Sequence, residues 1–596
     1  MSANPKPVTD IAAETPVAGD SQTEVWGSDV VAATLRTLDI PYLALNPGAS
    51  YRGLHDSLVN YNGNVGPQML LCLHEESAVS IAQGYAKACD KMMGAVVHSN
   101  VGLMHASMAI FNTWCDRMPM LILGATGPWD AAKRRPWIDW IHTTSDQGAL
   151  VRDYTKWDNQ PGSVAAAVEA LLRAAQIANT APRGPTYINL DAALQEAKFG
   201  PLPALPDVQR YLAPDPVAPA AHLIERAAKL LSGAKRPLIL AGRSRRSEMA
   251  WRQRVALAEK LQAPVLTDIR IAASFPTDHA LHALPPSGFL QLAAVQMVRE
   301  ADVILSLDWV DLGGTLKLAA GDGEIGAKVI QVSPDAYNHR GWSMDYCTLP
   351  AIDVYMMCEP EGAVPLLLDA VSRRSGPAPL KPAPRLPALT DDVSIRALAD
   401  ALNTAAKGME VTLIHLPIGW HGAYRDFHHP LDFLGGDGGG GVGAGPGIAV
   451  GAALALKDSG RIPISVLGDG DLLMGVTALW TAVHYRIPCL LIVSNNRSFF
   501  NDELHQERVA RMRGRPPENR WIGQRIDAPA IDLAAMARAQ GAEGIGPVTS
   551  VADLRRAVER GLHAVRGGAV CLIDVRVLPG YDTDASGAPP SESRKT

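Results

Sequence analysis

Short apolar runs recur along this chain, separated by segments in which apolar residues return every three or four positions. In the first third the runs fall at 42–45, 69–73, 94–97, 120–123 and 186–190, and in the middle at 237–240, 264–266, 303–305 and 329–332. They are continuously apolar rather than alternating, the mark of strands covered on both faces. The pattern between them is helical, so the sequence predicts parallel sheets flanked by helices on both sides. The segment 411–577 repeats the arrangement, with a strand at 489–493. The fold class read from this is α/β, in three doubly wound parallel-sheet domains.

Two proline-rich stretches, 200–219 and 376–387, divide the 596 residues, a length that suits domains of roughly 150–200 residues. The predicted organisation is a disordered tail (1–24), a first domain (25–198), a linker (199–220), a middle domain (221–375), a second linker (376–390), a third domain (391–580) and a disordered tail (581–596). The residues up to Glu24 lack the apolar core of a secretory signal. No apolar run approaches the ~20 residues a bilayer requires, and 447–456 reads as a buried helix.

Composition narrows the partners. Net charge is −6 with both signs dispersed and the pI is near 6.2, so no basic face is offered to nucleic acid or to a membrane. A small-molecule partner is expected. The seven cysteines, at 72, 89, 115, 347, 358, 489 and 571, show no metal-ligand spacing. They read as reduced core residues of a cytoplasmic protein.

The candidate chemistry begins where the run at 464–467 meets Gly468-Asp469-Gly470, followed 27 residues after Asp469 by Asn496 in Asn495-Asn496. A carboxylate beside side-chain-free backbone, with an amide oxygen delivered by the next strand, suits a hard Mg²⁺ that also holds phosphate oxygens. Gly-Asp-Gly is common and Asn-Asn is a turn dipeptide, but Ala478 to Val483 and Arg486-Ile487-Pro488 supply the helix and second strand between them.

This spacing resembles the signature of thiamine-diphosphate-dependent decarboxylases and synthases, and the domain order resembles theirs along nearly the whole chain: pyrimidine-binding, middle and diphosphate-binding. The resemblance implies thiamine diphosphate and Mg²⁺ as cofactors, with Asp469, Asn496 and Ser498 as metal ligands. It assigns Asn46, Pro47, Gly48, Val442, Gly443, Gly468, Gly470 and Asp471 to cofactor binding, with the bulk of Val442 bending the cofactor. Glu75, in His74-Glu75-Glu76-Ser77, matches the acid that activates the aminopyrimidine, and Glu76 reads as a helix-dipole acid. His98, 23 residues beyond Glu75, resembles the proton-transferring histidine of benzoylformate decarboxylase, whereas His105 reads as packing or surface.

The sequence departs from that decarboxylase where Ala49 replaces the serine expected after Asn-Pro-Gly, with Ser50 one place later, and where Gly313 stands at the expected second histidine. The leading expectation is a lyase acting on a 2-oxo acid, most simply a decarboxylase. The alternatives are an acetolactate-synthase-like carboligase and a benzaldehyde-lyase-like or 2-hydroxyacyl-CoA-lyase-like enzyme taking an aldehyde. A catalytically silent scaffold is disfavoured by the intact Glu75, Asp469 and Asn496. The resemblance also implies a homo-oligomer, a dimer of dimers, with each site shared across a subunit boundary. Flavin or ADP in the middle domain is left open, as is the choice between lid, substrate wall and interface for the tryptophans at 137 and 140.

Overall fold

The computed structural model describes residues 14–17, 24–335, 349–374, 386 and 388–580. The predicted tail 581–596, most of the second linker and Cys347 lie outside the described residues.

Each of the three predicted domains contains a wholly parallel sheet. In the first the strand order is Gln68–Leu71, Tyr42–Leu45, Met93–Val96, Met120–Thr126, Pro185–Asp191, Trp157–Asn159. The middle sheet runs Val265–Thr267, Pro237–Ala241, Val303–Leu307, Lys328–Val332, Val354–Met356. The third runs Val411–Leu413, Ile462–Gly468, Cys489–Asn495, Val570–Arg576, Glu543–Val548. The central strands are buried along their length, as continuous apolar runs require. Strands Trp157–Asn159 and Val354–Met356 escape the pattern because they are short edge strands.

The first and third domains share one core. Leu70, Val79, Ile81 and Leu103 pack in the same cluster as Leu467, Leu472, Val493 and Leu572. At its centre helix Glu75–Cys89 lies against helix Gly445–Leu456, the buried helix expected at 447–456. Small residues permit this approach: a Cβ at Gly84 would stand 2.1 Å from the Ile448 carbonyl oxygen, and one at Gly451 1.8 Å from that of Ile81. The middle domain meets the first through ion pairs, chiefly Arg117 with Asp308 and Asp335.

Two boundaries shift. Val25–Trp26 pairs antiparallel with Lys198–Gly200, so residues 199 and 200, read as linker, belong to a sheet. Glu14, read as part of a disordered tail, is docked: its carboxylate accepts from Tyr485 Oη at 2.8 Å and lies 2.9 Å from His484 Nε2, and its carbonyl accepts from Asn64 Nδ2. That anchor is polar and comes from the far end of the chain, so apolar patterning around Glu14 carries no sign of it. Cys72, Cys115, Cys358, Cys489 and Cys571 are buried and free, and Cys89 is free. No helix among the described residues is long and apolar enough to cross a membrane.

Candidate active site

In the third domain, strands Ile462–Gly468 and Cys489–Asn495 are neighbours, with Gly468 opposite Ser494, so both predicted motifs open on one sheet edge. Asp469 begins the short helix Asp469–Gly475, where a carboxylate complements the N-terminal partial charge. It is buried; Oδ1 accepts the Gly470 N–H at 2.9 Å, and Oδ2 has no partner at hydrogen-bond distance among the described residues. Burial pushes its carboxyl pKa up, opposed by the N–H groups of Gly470, Arg497 and Ser498. A Cβ at Gly468 would meet nothing within 4 Å, whereas one at Gly470 would lie 2.7 Å from the Phe499 ring. Open space therefore lies beside the strand end, with the Phe499 loop closing one flank.

The two asparagines divide. Asn495 is buried and donates to Asp574 at 2.7 Å, a structural bond. Asn496 stays at the rim, its Oδ1 accepting the Ser498 N–H at 2.9 Å. The Ser498 hydroxyl donates to buried Glu503 at 2.6 Å. Arg497 between them takes a left-handed φ of 60°, a conformation uncommon outside glycine.

Asp471, expected at the cofactor, commits one oxygen to the protein and keeps Oδ2 buried without a partner among the described residues. Its Oδ1 accepts the N–H groups of Gly443 at 2.7 Å and Gly445 at 3.2 Å, pinning the glycine-rich loop to the helix. Gly443 takes φ 112°, accessible to glycine, beside exposed Val442. The same loop comes close to Glu76, whose Oε1 would lie 3.8 Å from a Cβ at Gly443. Glu76 stands in the first turn of helix Glu75–Cys89, where a dipole acid is expected, and burial, then Asp471, raise its pKa.

In the first domain, Asn46 also serves the fold: its Nδ2 donates to the Cys72 carbonyl at 3.0 Å and its own carbonyl accepts from Tyr51. Pro47 and Gly48 lead into the turn Ala49–Tyr51. A Cβ at Gly48 would collide with the His98 side chain at 2.3 Å, so glycine makes room for that imidazole. The turn then swings Ser50 to 2.8 Å from His98 Nδ1, and the Ser99 N–H donates to the same hydroxyl at 3.2 Å. The hydroxyl that looked misplaced by one residue thus reaches the histidine. Gly313, in the helix Leu312–Ala320, supplies no imidazole.

His98 stands just before helix Ser99–Cys115, its side chain making no capping bond. Its pKa is lowered by burial and then by His142, whose ring meets it edge-on at 4.7 Å, against an upward pull from Glu75. Glu75 is buried in the first turn of its helix, behind the cap His74, which accepts the Glu76 N–H at 3.1 Å. Its Oε2 lies 3.1 Å from His105 Nδ1, and its Oε1 would stand 2.9 Å from a Cβ at Gly102. His105, read as packing or surface, is exposed and is also the direct neighbour of the candidate acid.

The comparisons with known proteins bear on the family and the fold. Models of the thiamine pyrophosphate enzymes match in order: the N-terminal TPP binding domain over residues 25–150, the central domain over 224–340 and the C-terminal TPP binding domain over 417–575. A benzoylformate decarboxylase of Pseudomonas aeruginosa is 26% identical over 542 residues, covering 85% of this chain and 91% of that protein. A probable acetolactate synthase large subunit of Methanocaldococcus jannaschii is 26% identical over 500 residues, covering 79% and 80%. The crystal structure of benzoylformate decarboxylase from Polynucleobacter necessarius superposes with a TM-score of 0.77 at 19% identity, covering 94% of this chain and 99% of that one.

Proposed function

The chain belongs to the thiamine pyrophosphate enzymes, and from that premise we propose that it is a Mg²⁺-dependent lyase that removes CO₂ from a 2-oxo acid. At the coarser level it is a thiamine-diphosphate-dependent decarboxylase or carboligase. The observation that carries the metal assignment is the buried, unpartnered Oδ2 of Asp469 at an open strand end. With the amide oxygen of Asn496, it forms the hard oxygen set that suits Mg²⁺. Because the Ser498 hydroxyl is committed to Glu503, Ser498 would contribute its main-chain carbonyl. Val442, Gly443, Gly468 and Gly470 would hold the cofactor, and Asp471 holds their loop in place.

The chemistry that thiamine diphosphate supplies when bound is a nucleophilic thiazolium carbon that also accepts the electron pair left when CO₂ departs. Glu75 would hold a proton at its carboxyl for the aminopyrimidine nitrogen, in a pocket kept from water by Tyr51 and helix Ser99–Cys115. His98 shares a hydrogen with Ser50 at Nδ1, so Nε2 is the nitrogen left to move a proton at the substrate. Exposed Leu73, Met104, Val442 and Met474 around these groups support a second subunit covering the site, in a dimer or dimer of dimers. Free, buried cysteines support a cytoplasmic location. The acetolactate synthase relative supports carboligation as the second reading.

The test is to give holoenzyme a panel of 2-oxo acids with and without aldehyde acceptors and to identify products by mass spectrometry. A CO₂-releasing reaction is expected, slowed on the order of 10²–10⁴-fold in Glu75→Gln with cofactor binding retained. Wild-type C2-proton exchange in that variant, read by NMR, would remove Glu75 from the mechanism.

A further inference from the structure

The loop 134–142 presents aromatic surface of a kind folded chains seldom leave uncovered. Trp129, Trp137 and Trp140 are 56%, 71% and 79% exposed, three of the chain's twelve tryptophans within twelve residues. Trp137 also has φ 67° and ψ −62°, and the Ile138 N–H donates to the Pro136 carbonyl at 2.8 Å across it. That is the positive-φ γ-turn, rare and strained even for small residues, and a bulky side chain there is a genuine outlier. Strain of this kind persists where surrounding structure imposes it, and it clusters at functional sites.

The surroundings impose it here. Arg135 donates to buried Asp139 through its backbone at 2.7 Å and its guanidinium at 3.0 Å, and Arg134 donates to the carbonyls of Pro128 and Trp129. The end of the loop is tied to the start of the helix that follows His98: Ser99 Oγ donates to the His142 carbonyl at 2.8 Å and Asn100 Nδ2 to that of Ile141 at 3.1 Å. Arg135 is thus tied to Asp139 and Arg134 to two carbonyls of the loop's own scaffold, and beside these exposed basic groups stand the exposed indoles. The loop's rigid base also carries the His142 ring that meets His98.

We propose that Trp137 and Trp140 form an aromatic platform that binds the flat, apolar substituent of the carbonyl substrate and sets selectivity for aryl over short aliphatic substrates. This rests on the reading that His98 works at a carbonyl substrate. Aromatic stacking of this size is worth about tenfold in binding.

The test uses holoenzyme and the variants Trp137→Ala, Trp140→Ala and Trp137→Phe, with an aryl 2-oxo acid and pyruvate as substrates. The ratio of kcat/KM for the aryl acid to that for pyruvate should fall by up to about tenfold in either alanine variant and recover in Trp137→Phe. Quenching of tryptophan fluorescence by a non-reacting aryl carboxylic acid should shrink in the same variants. Parallel loss with both substrates, or a loss of assembled mass by light scattering with the ratio unchanged, would overturn the platform and make the tryptophans an interface between copies. If wild-type enzyme turns over neither acid, the decarboxylase reading fails by itself, and the quenching titration still decides the platform: retained quenching in both alanine variants overturns it.

Discussion

At the scale of single residues, the cluster around His98 is governed by its neighbours. Burial and His142 both favour the neutral imidazole, with Glu75 opposing them, so His98 stays neutral below the ordinary histidine value near 6.5. Its folded pKa is depressed, so activity that needs the neutral ring, and the stability linked to it, are kept above pH ~6.5 and lost as pH falls from there through the folded value. In His142→Ala the second cause of the depression is gone. The acid limb of kcat/KM against pH should then move to higher pH, and an unmoved limb would show that His142 does not act on His98.

At the scale of elements, the helix pair Glu75–Cys89 and Gly445–Leu456 decides whether the two halves of the site can face each other. A methyl at Gly451 would be 1.8 Å from a backbone carbonyl oxygen, which cannot rotate away. Gly451→Ala should therefore force the helices apart and cost about 1–3 kcal/mol, the usual range for overpacking, read by urea denaturation. The same change at Gly233, in helix Ala221–Gly233, meets nothing within 4 Å and should be close to neutral. A stability gain at Gly451 like that expected of alanine in any helix would show that the two helices yield to the methyl and that close packing does not set the effect.

For the whole molecule, the middle domain is held to the first by buried charge more than by shared core. Arg117 donates to both oxygens of Asp308 at 3.1 Å and also pairs with Asp335. Removing one partner of a buried pair costs about 3–5 kcal/mol. Ser333 also donates to Asp308, at 2.7 Å, which leaves that carboxylate partly satisfied when Arg117 is gone. Arg117→Ala should accordingly destabilise by on the order of 2 kcal/mol, and a calorimetric scan should show the middle domain unfolding ahead of the rest. An unchanged transition would mean that the apolar contacts alone dock this domain.

The sequence by itself determined the three parallel sheets and the two motifs at the edge of the third. A strand buried on both faces must be apolar throughout, and a cation site at a strand end must gather glycine, carboxylate and amide within a few residues; both demands are local. Tertiary structure alone decided which of those groups are free to act. Asn495 is spent on Asp574 and Asn496 is left at the rim; Asp471 gives one oxygen to the glycine-rich loop and Asp469 one to the Gly470 N–H, and each keeps a second oxygen without a partner among the described residues. Ser50 reaches His98 across 48 residues, His105 reaches Glu75 across 30, and Glu14 reaches Tyr485 across 471. Hydrogen-bond capacity is the same for every copy of a side chain, so its allocation depends on which backbone and side-chain groups folding brings within about 3 Å.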